Sequence, residues 1–140
     1  MAGNPLVGVW RLVSWESRTA DGEATYPLGQ DARGYITYSD DGHLSVIIGK
    51  ADRPRFSGND LLGGSAEEKA GAAATFVSYA GTYELQGDRV IHHIELSLFP
   101  NWAGTTQERK VELRGNRLTL STRAMVHGRF GTSSLTWERV

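Results

Sequence analysis

The residues of this chain that could do chemistry are few: the neighbours His92 and His93 with Glu95 two positions on, Arg109 with Gln107, the tyrosines Tyr38 and Tyr83, and Trp102. An imidazole titrates near neutrality, so a histidine beside a bound molecule can act as acid or base. A guanidinium brings a fixed charge and five donors to a carboxylate, a carbonyl or a developing oxyanion. His92 and His93, adjacent on a strand, point to opposite faces and cannot grip one metal together, so no metal site is expected. The absence of cysteine removes disulfides, thiol nucleophiles and cysteine-held metals. Neither Gly-x-Gly-x-x-Gly, a P-loop, a Gly-x-Ser-x-Gly elbow nor His-Glu-x-x-His occurs, which leaves nucleotide binding, triad hydrolysis and zinc proteolysis without support. What remains is cofactor-free: binding, or proton transfer, isomerisation, cyclisation or elimination on an enclosed molecule.

Short alternating segments broken by Gly, Asp and Asn at intervals of about 8 to 14 residues must position these groups, the pattern of an antiparallel meander. Eight main strands are expected, at Leu6 to Arg18, Arg33 to Ser39, His43 to Lys50, Ala80 to Gln86, Arg89 to Phe99, Thr105 to Arg114, Arg117 to Ala124 and Thr132 to Arg139, with a short ninth near Ala24 to Tyr26. Asp40-Asp41-Gly42 as a three-residue loop pairs Tyr38 with Leu44 and Ile36 with Val46, which collects the apolar residues on one face. Gly87-Asp88 likewise pairs Tyr83 with His92 and Gly81 with Ile94, and Gly115-Asn116 forms a third hairpin. One helix, about 65–78, opens with a capping box at Ser65 and Glu68, carries a stripe of Ala66, Ala70, Ala73 and Val77, and would close one barrel end. The Gly- and Pro-rich stretch 51–64 before it reads as a mobile loop at the mouth.

Eight strands with one apolar face each either stack as two sheets or close on themselves, and closure removes the exposed edges. If first and last strands meet, Trp10 and Trp137 plug the floor and Arg139 lies across Trp10. The opening Gly-Val-Trp at residues 8 to 10 resembles the Gly-x-Trp start of lipocalins and of intracellular fatty-acid-binding proteins. Gly34 to Gly42, Thr75 to Tyr83, and Val90 to Arg109 with its His-His, Phe-Pro-Asn-Trp and Gly-Thr elements are similar to the bacterial and fungal lipocalin-like domain family. That resemblance, covering nearly the whole chain, implies one domain over residues 1–140, an all-β, closed, up-and-down barrel of eight to nine strands with an interior cavity. It implies no single activity.

Counting alternate residues from Trp10 puts Leu12, Ser14 and Glu16 inside, followed by Tyr38, Leu44, Val46, Tyr83, His92, Ile94, Leu96, Gln107, Arg109 and Leu120 as candidate ligand contacts, with Trp102 folding back as a cap. A charge in such an interior costs several kcal/mol unless paired or wet. Arg109 therefore either pairs with Glu16 across the barrel or anchors the polar end of a ligand. His92 is either a structural histidine or an acid or base beside Tyr83; His93 and Glu95 lie outside unless the parity there inverts, when they would form an interior pair. Trp15 falls outside, which makes a homodimer worth testing.

Fifteen Lys and Arg against sixteen Asp and Glu give a net charge of −1, so neither nucleic acid nor an acidic membrane is an expected partner. The first nine residues lack the pattern of a signal peptide, and a cytoplasmic location is expected. The leading reading is a binder of a small hydrophobic molecule with a polar or anionic end. The alternative is an isomerase, cyclase or lyase using His92, or His93 with Glu95, as acid or base and Arg109 to stabilise an oxyanion. A third is an interaction domain with a filled core.

Overall fold

A computed structural model describes residues 3–140 as nine strands and one helix: β1 (Gly8–Arg18), β2 (Ala24–Thr25), β3 (Arg33–Tyr38), β4 (His43–Gly49), α1 (Ala66–Ala74), β5 (Phe76–Gln86), β6 (Arg89–Ser97), β7 (Thr106–Arg114), β8 (Arg117–Val126) and β9 (Arg129–Arg139). Each strand from β3 onward pairs antiparallel with the next, β1 pairs with β3, and β1 also pairs with β9, so the sheet closes; β2 adds a short edge to β1. The result is a closed eight-stranded barrel plus one extra strand. No helix among the described residues is long and apolar enough to cross a membrane.

Turn chemistry sets the registers as the sequence implies. Gly42, at φ 92°, ends the Asp-Asp-Gly loop and pairs Tyr38 with Leu44 and Ile36 with Val46. Gly87 and Gly115, both at φ 60°, occupy the first central position of two-residue turns, a conformation that suits the right-handed twist of the flanking strands. The β8–β9 turn is different and was not foreseen: His127 at φ 51° and Gly128 at φ 77° form a two-residue turn with both centres left-handed, extending this hairpin beyond the expected ends.

Closure rests on the termini. Leu12 pairs with Trp137 and Trp10 with Arg139, and Leu6, Trp10, Tyr38 and Trp137 fill the closed end at 1% exposure or less. The Arg139 guanidinium lies 4.1 Å from the Trp10 ring centroid and donates to the carbonyls of Val7 and Pro5. Gly8 makes this possible: a Cβ there would come within 2.8 Å of Arg139 Nη1. The Gly-x-Trp opening and the terminal arginine are thus one packing unit.

Two bulges overturn part of the parity count. Between Leu12 and Ser14 the pairing with β9 slips by one residue, so Trp15 pairs with Leu135 and Ser17 with Ser133, facing inward. Glu16 consequently turns outward to Arg18, 2.7 Å away, and does not pair with Arg109. The outward Trp15 that motivated a homodimer is therefore not present. On β6 the slip lies opposite Ala80 and Gly81: Gly81 pairs with Ile94 and Ala80 with Leu96, leaving Glu95 as the extra residue. A Cβ on Gly81 would lie 1.9 Å from the His93 carbonyl oxygen, so only glycine admits this close approach.

The helix is shorter than its expected span of 65–78. Ser65 and Glu68 form both hydrogen bonds of the capping box, but α1 stops at Ala74 and Val77 belongs to β5, paired with Ile48. Val77 fits the helical spacing and the strand alternation equally, and cross-strand pairing with β4 decides for the strand. No residue of α1 is buried; Ala73 and Ala74 border the barrel mouth.

Candidate functional site

Between the packed aromatic end and the helix lies a cavity of about 510 Å³, within the range of small-molecule sites. Its walls are mainly apolar, with Val46, Ile48, Leu120 and Leu135 among them, and no aspartate or glutamate among the described residues lines it. Trp102, on the 3-10 turn Pro100–Trp102, caps one side edge-on to Tyr79 and to Phe99, each with centroids 5.7 Å apart.

The polar end of the cavity is built by β5, β6 and β7. His92 is fully buried, with Nε2 at 2.6 Å from Tyr38 Oη and Nδ1 at 2.8 Å from Tyr79 Oη. Burial holds this imidazole well below its ordinary pKa of 6.5, and the Arg109 charge pushes the same way, so it is neutral near pH 7. The Tyr38 phenol is driven well above 10.0, chiefly by burial. Arg109 is 8% exposed and lines the cavity, yet it makes no ion pair or hydrogen bond with any described residue. Gln107, two residues before it and paired with His92 across the strands, shares the wall.

The structure separates the expected contacts. His92, Gln107, Arg109, Val46, Leu120 and Trp102 all border the cavity. Tyr38 does not; it reaches the cavity only through His92. Tyr83 is drawn to the closed end, donating to the Ser39 carbonyl at 2.7 Å and accepting from Asn4 Nδ2. Leu44 and Ile94 are buried packing residues away from the cavity. Leu96, expected inside, is 74% exposed because the β6 bulge turns Ser97 inward in its place. The interior His93–Glu95 pair is not formed: His93 lies outside, 3.2 Å from Glu84, and Glu95 is exposed.

Several cavity residues escaped the sequence reading, Ser97, His127 and Ser133 among them, and three of the large ones have identifiable causes. Tyr79 and Val77 continue the alternation Tyr83, Gly81 backward, a signal hidden by extending the helix to residue 78. Trp15 was assigned to the wrong face by the β1 bulge; its Nε1 donates to Ser133 Oγ at 2.7 Å, spanning β1 and β9.

A family model described as a lipocalin-like domain matches residues 7–140. The chain belongs to the lipocalin-like domain family. A relative of this lipocalin-like chain is the 4'-hydroxy-3'-methoxypropiophenone carrier protein ppsC of Aspergillus oryzae, 36% identical over 107 residues that cover 69% of this chain and 96% of the fungal protein. Among solved structures, an uncharacterized protein from Bacteroides eggerthii aligns over 95% of the lipocalin-like chain and 98% of its own at 15% identity and TM-score 0.47. The lipoprotein YedD from Klebsiella pneumoniae aligns over 99% and 74% at 11% identity and TM-score 0.42.

Proposed function

We propose that this barrel is a carrier for a small, mostly apolar molecule whose body lies against the aliphatic and aromatic walls and whose polar end faces Arg109 and Tyr79. One observation carries the reading: a buried guanidinium with no anionic partner among the described residues borders a mainly apolar cavity. A charge so placed costs several kcal/mol in the empty protein and is retained to advantage only where something else pairs with it. The fungal relative, a carrier protein for an aryl ketone, supports a ligand of this size and polarity.

Binding is favoured over turnover by the state of His92. Both of its ring nitrogens are engaged by tyrosine hydroxyls, so neither is free to take a proton from a substrate. Passing a proton outward through Tyr79 would require Tyr38 to become a tyrosinate in a sealed, low-dielectric site, which its raised pKa opposes. No carboxylate among the described residues lines the cavity, and the second histidine on its lining, His127, lies in the β8–β9 turn.

The test is direct titration of purified, ligand-stripped protein with 4'-hydroxy-3'-methoxypropiophenone and with the uncharged dye N-phenyl-1-naphthylamine, by calorimetry and fluorescence. Saturable one-to-one binding that the two compete for is expected. Failure of both to bind stoichiometrically would refute a carrier role for the cavity.

A further inference from the structure

The hydrogen-bond chain behind the cavity has a direction, and that direction selects the ligand's chemistry. A neutral imidazole has one donor nitrogen and one acceptor nitrogen. Tyr38 is fully buried, does not border the cavity, and has His92 Nε2 as its one side-chain hydrogen-bond partner among the described residues. Were Nε2 to carry the proton, the Tyr38 hydroxyl hydrogen would be left buried with no acceptor. Tyr38 therefore donates to Nε2, Nδ1 carries the proton and donates to Tyr79 Oη, and the Tyr79 hydroxyl, already accepting, is left to donate elsewhere. Tyr79 borders the cavity, so its free proton is available to a molecule held there.

We infer that the cavity takes a small organic acid and binds it as the oxyanion, with Arg109 supplying the charge and Tyr79 a hydrogen bond whose direction is set by Tyr38 and His92. Resting on the carrier reading above, this inference narrows the ligand class from any molecule with a polar end to carboxylates and comparably acidic enols or phenols. Gln107 lines the same cavity and carries an amide NH₂ donor. The lining contains one guanidinium and no carboxylate, so an anion neutralises it whereas an ammonium would add like charge. His92 and Tyr38 are positioning residues here, acting through Tyr79.

A matched pair of probes isolates the charge: 1-naphthylacetate and 1-naphthylacetamide have the same aromatic body and differ at the polar end. Displacement of N-phenyl-1-naphthylamine at pH 7 should give at least about a tenfold lower Kd for the acid, the advantage of a charge-assisted over a neutral hydrogen-bonded contact. With the dye's own Kd redetermined for each variant, Arg109→Met should erase that preference between acid and amide, and Tyr79→Phe should reduce it by about three- to tenfold. Long-range proton–nitrogen correlation spectra of the His92 ring should show Nδ1 protonated and Nε2 unprotonated, which reads the direction of the chain, and the Nδ1 proton should shift on adding 1-naphthylacetate but not 1-naphthylacetamide, as a purely structural histidine would not.

If the dye binds and is displaced equally by acid and amide, the oxyanion inference is overturned while the carrier reading survives. A ring protonated at Nε2 overturns the assigned direction and with it the free Tyr79 donor. If the dye does not bind at all, the carrier reading itself falls.

Discussion

Replacing Arg109 by methionine should make the empty protein more stable and roughly halve the stabilisation that an acidic ligand adds. The guanidinium is 8% exposed and lacks a protein partner, so the folded state bears its desolvation without compensation except from the cavity side. Buried ions cost several kcal/mol, and replacing buried ionic groups by apolar ones of similar volume has stabilised proteins by about 1 to 4 kcal/mol. The cavity reduces the penalty by leaving one side of the group open, which places the expected gain near the lower end, about 1 to 2 kcal/mol. Methionine keeps most of the stem that packs against the neighbouring wall, so little is lost from removing the arginine's own methylenes. For a 140-residue domain the entropy of unfolding is about 0.3 kcal/mol/K, so Tm should rise by roughly 3 to 7 °C. The assay is thermal and urea unfolding of ligand-stripped protein at pH 7, repeated with 1-naphthylacetate at a hundred times the wild-type Kd. The ligand should add about 2.7 kcal/mol to the wild type and, at a tenfold weaker affinity, about 1.4 kcal/mol to the variant, so the gap between them should close. Destabilisation of the empty protein by more than about 1 kcal/mol would mean that Arg109 holds the fold together, and the argument from its unpaired charge would fail.

Three further outcomes follow from particular contacts. Because burial keeps His92 neutral with a pKa well below 6.5, the unfolded chain binds the extra proton below that pH, and stability falls as pH drops until the folded pKa is reached, by up to about 1.4 kcal/mol per unit. His92→Gln lacks this slope, so its stability deficit against the wild type, measured by urea unfolding, should shrink by about 1 kcal/mol between pH 6.5 and 5.5 and be constant above pH 7.5; a constant deficit throughout would count against a neutral buried imidazole. Gly81→Ala should cost about 3 kcal/mol or more, since the new Cβ would lie 1.9 Å from a backbone oxygen; a loss below about 1 kcal/mol in thermal unfolding would contradict the bulge geometry. Gly71→Ala, mid-helix with no atom within 4 Å of the added Cβ, should stabilise by about 0.5 to 1 kcal/mol in the same measurement, and destabilisation would argue that α1 is not a regular helix there.

The barrel was legible because its strongest signals are local. Asp40-Asp41-Gly42, Gly87-Asp88 and Gly115-Asn116 each fix a hairpin within a few residues, and alternation then carries the register along both arms. The pairing of the chain ends was readable from Trp10, Trp137 and Arg139 because closure leaves few places for two large indoles and a guanidinium. The bulges were not readable in the same way. Nothing in the types of Val13 or Glu95 marks either as the extra residue; the slip is decided by what the neighbouring strand presents. On β6 that neighbour is Gly81, whose missing Cβ was visible in the sequence but whose consequence depends on a partner 12 residues away. The β8–β9 turn was missed because a histidine at positive φ carries no turn signature, with Met125 and Phe130 on either side reading as ordinary strand.

These slips decide the contents of the cavity as well as the faces of a few residues. In a barrel without bulges, Glu16 would have faced inward and could have neutralised Arg109, leaving two walls tied together and no unpaired charge. The β1 bulge sends that carboxylate out to Arg18 and brings in Trp15, an apolar body whose one polar atom is already satisfied by Ser133. On β6 the corresponding slip replaces Leu96 by Ser97 at the wall, exchanging a side chain that would have filled space for one that leaves it. The closed end takes the bulk, in Leu6, Trp10, Tyr38 and Trp137, while the open half is lined in part by Ser78, Ser97, Thr122, Ala124 and Ser133. The contents of the cavity and its unpaired charge thus have one origin: two bulges that remove a carboxylate and a leucine from its wall.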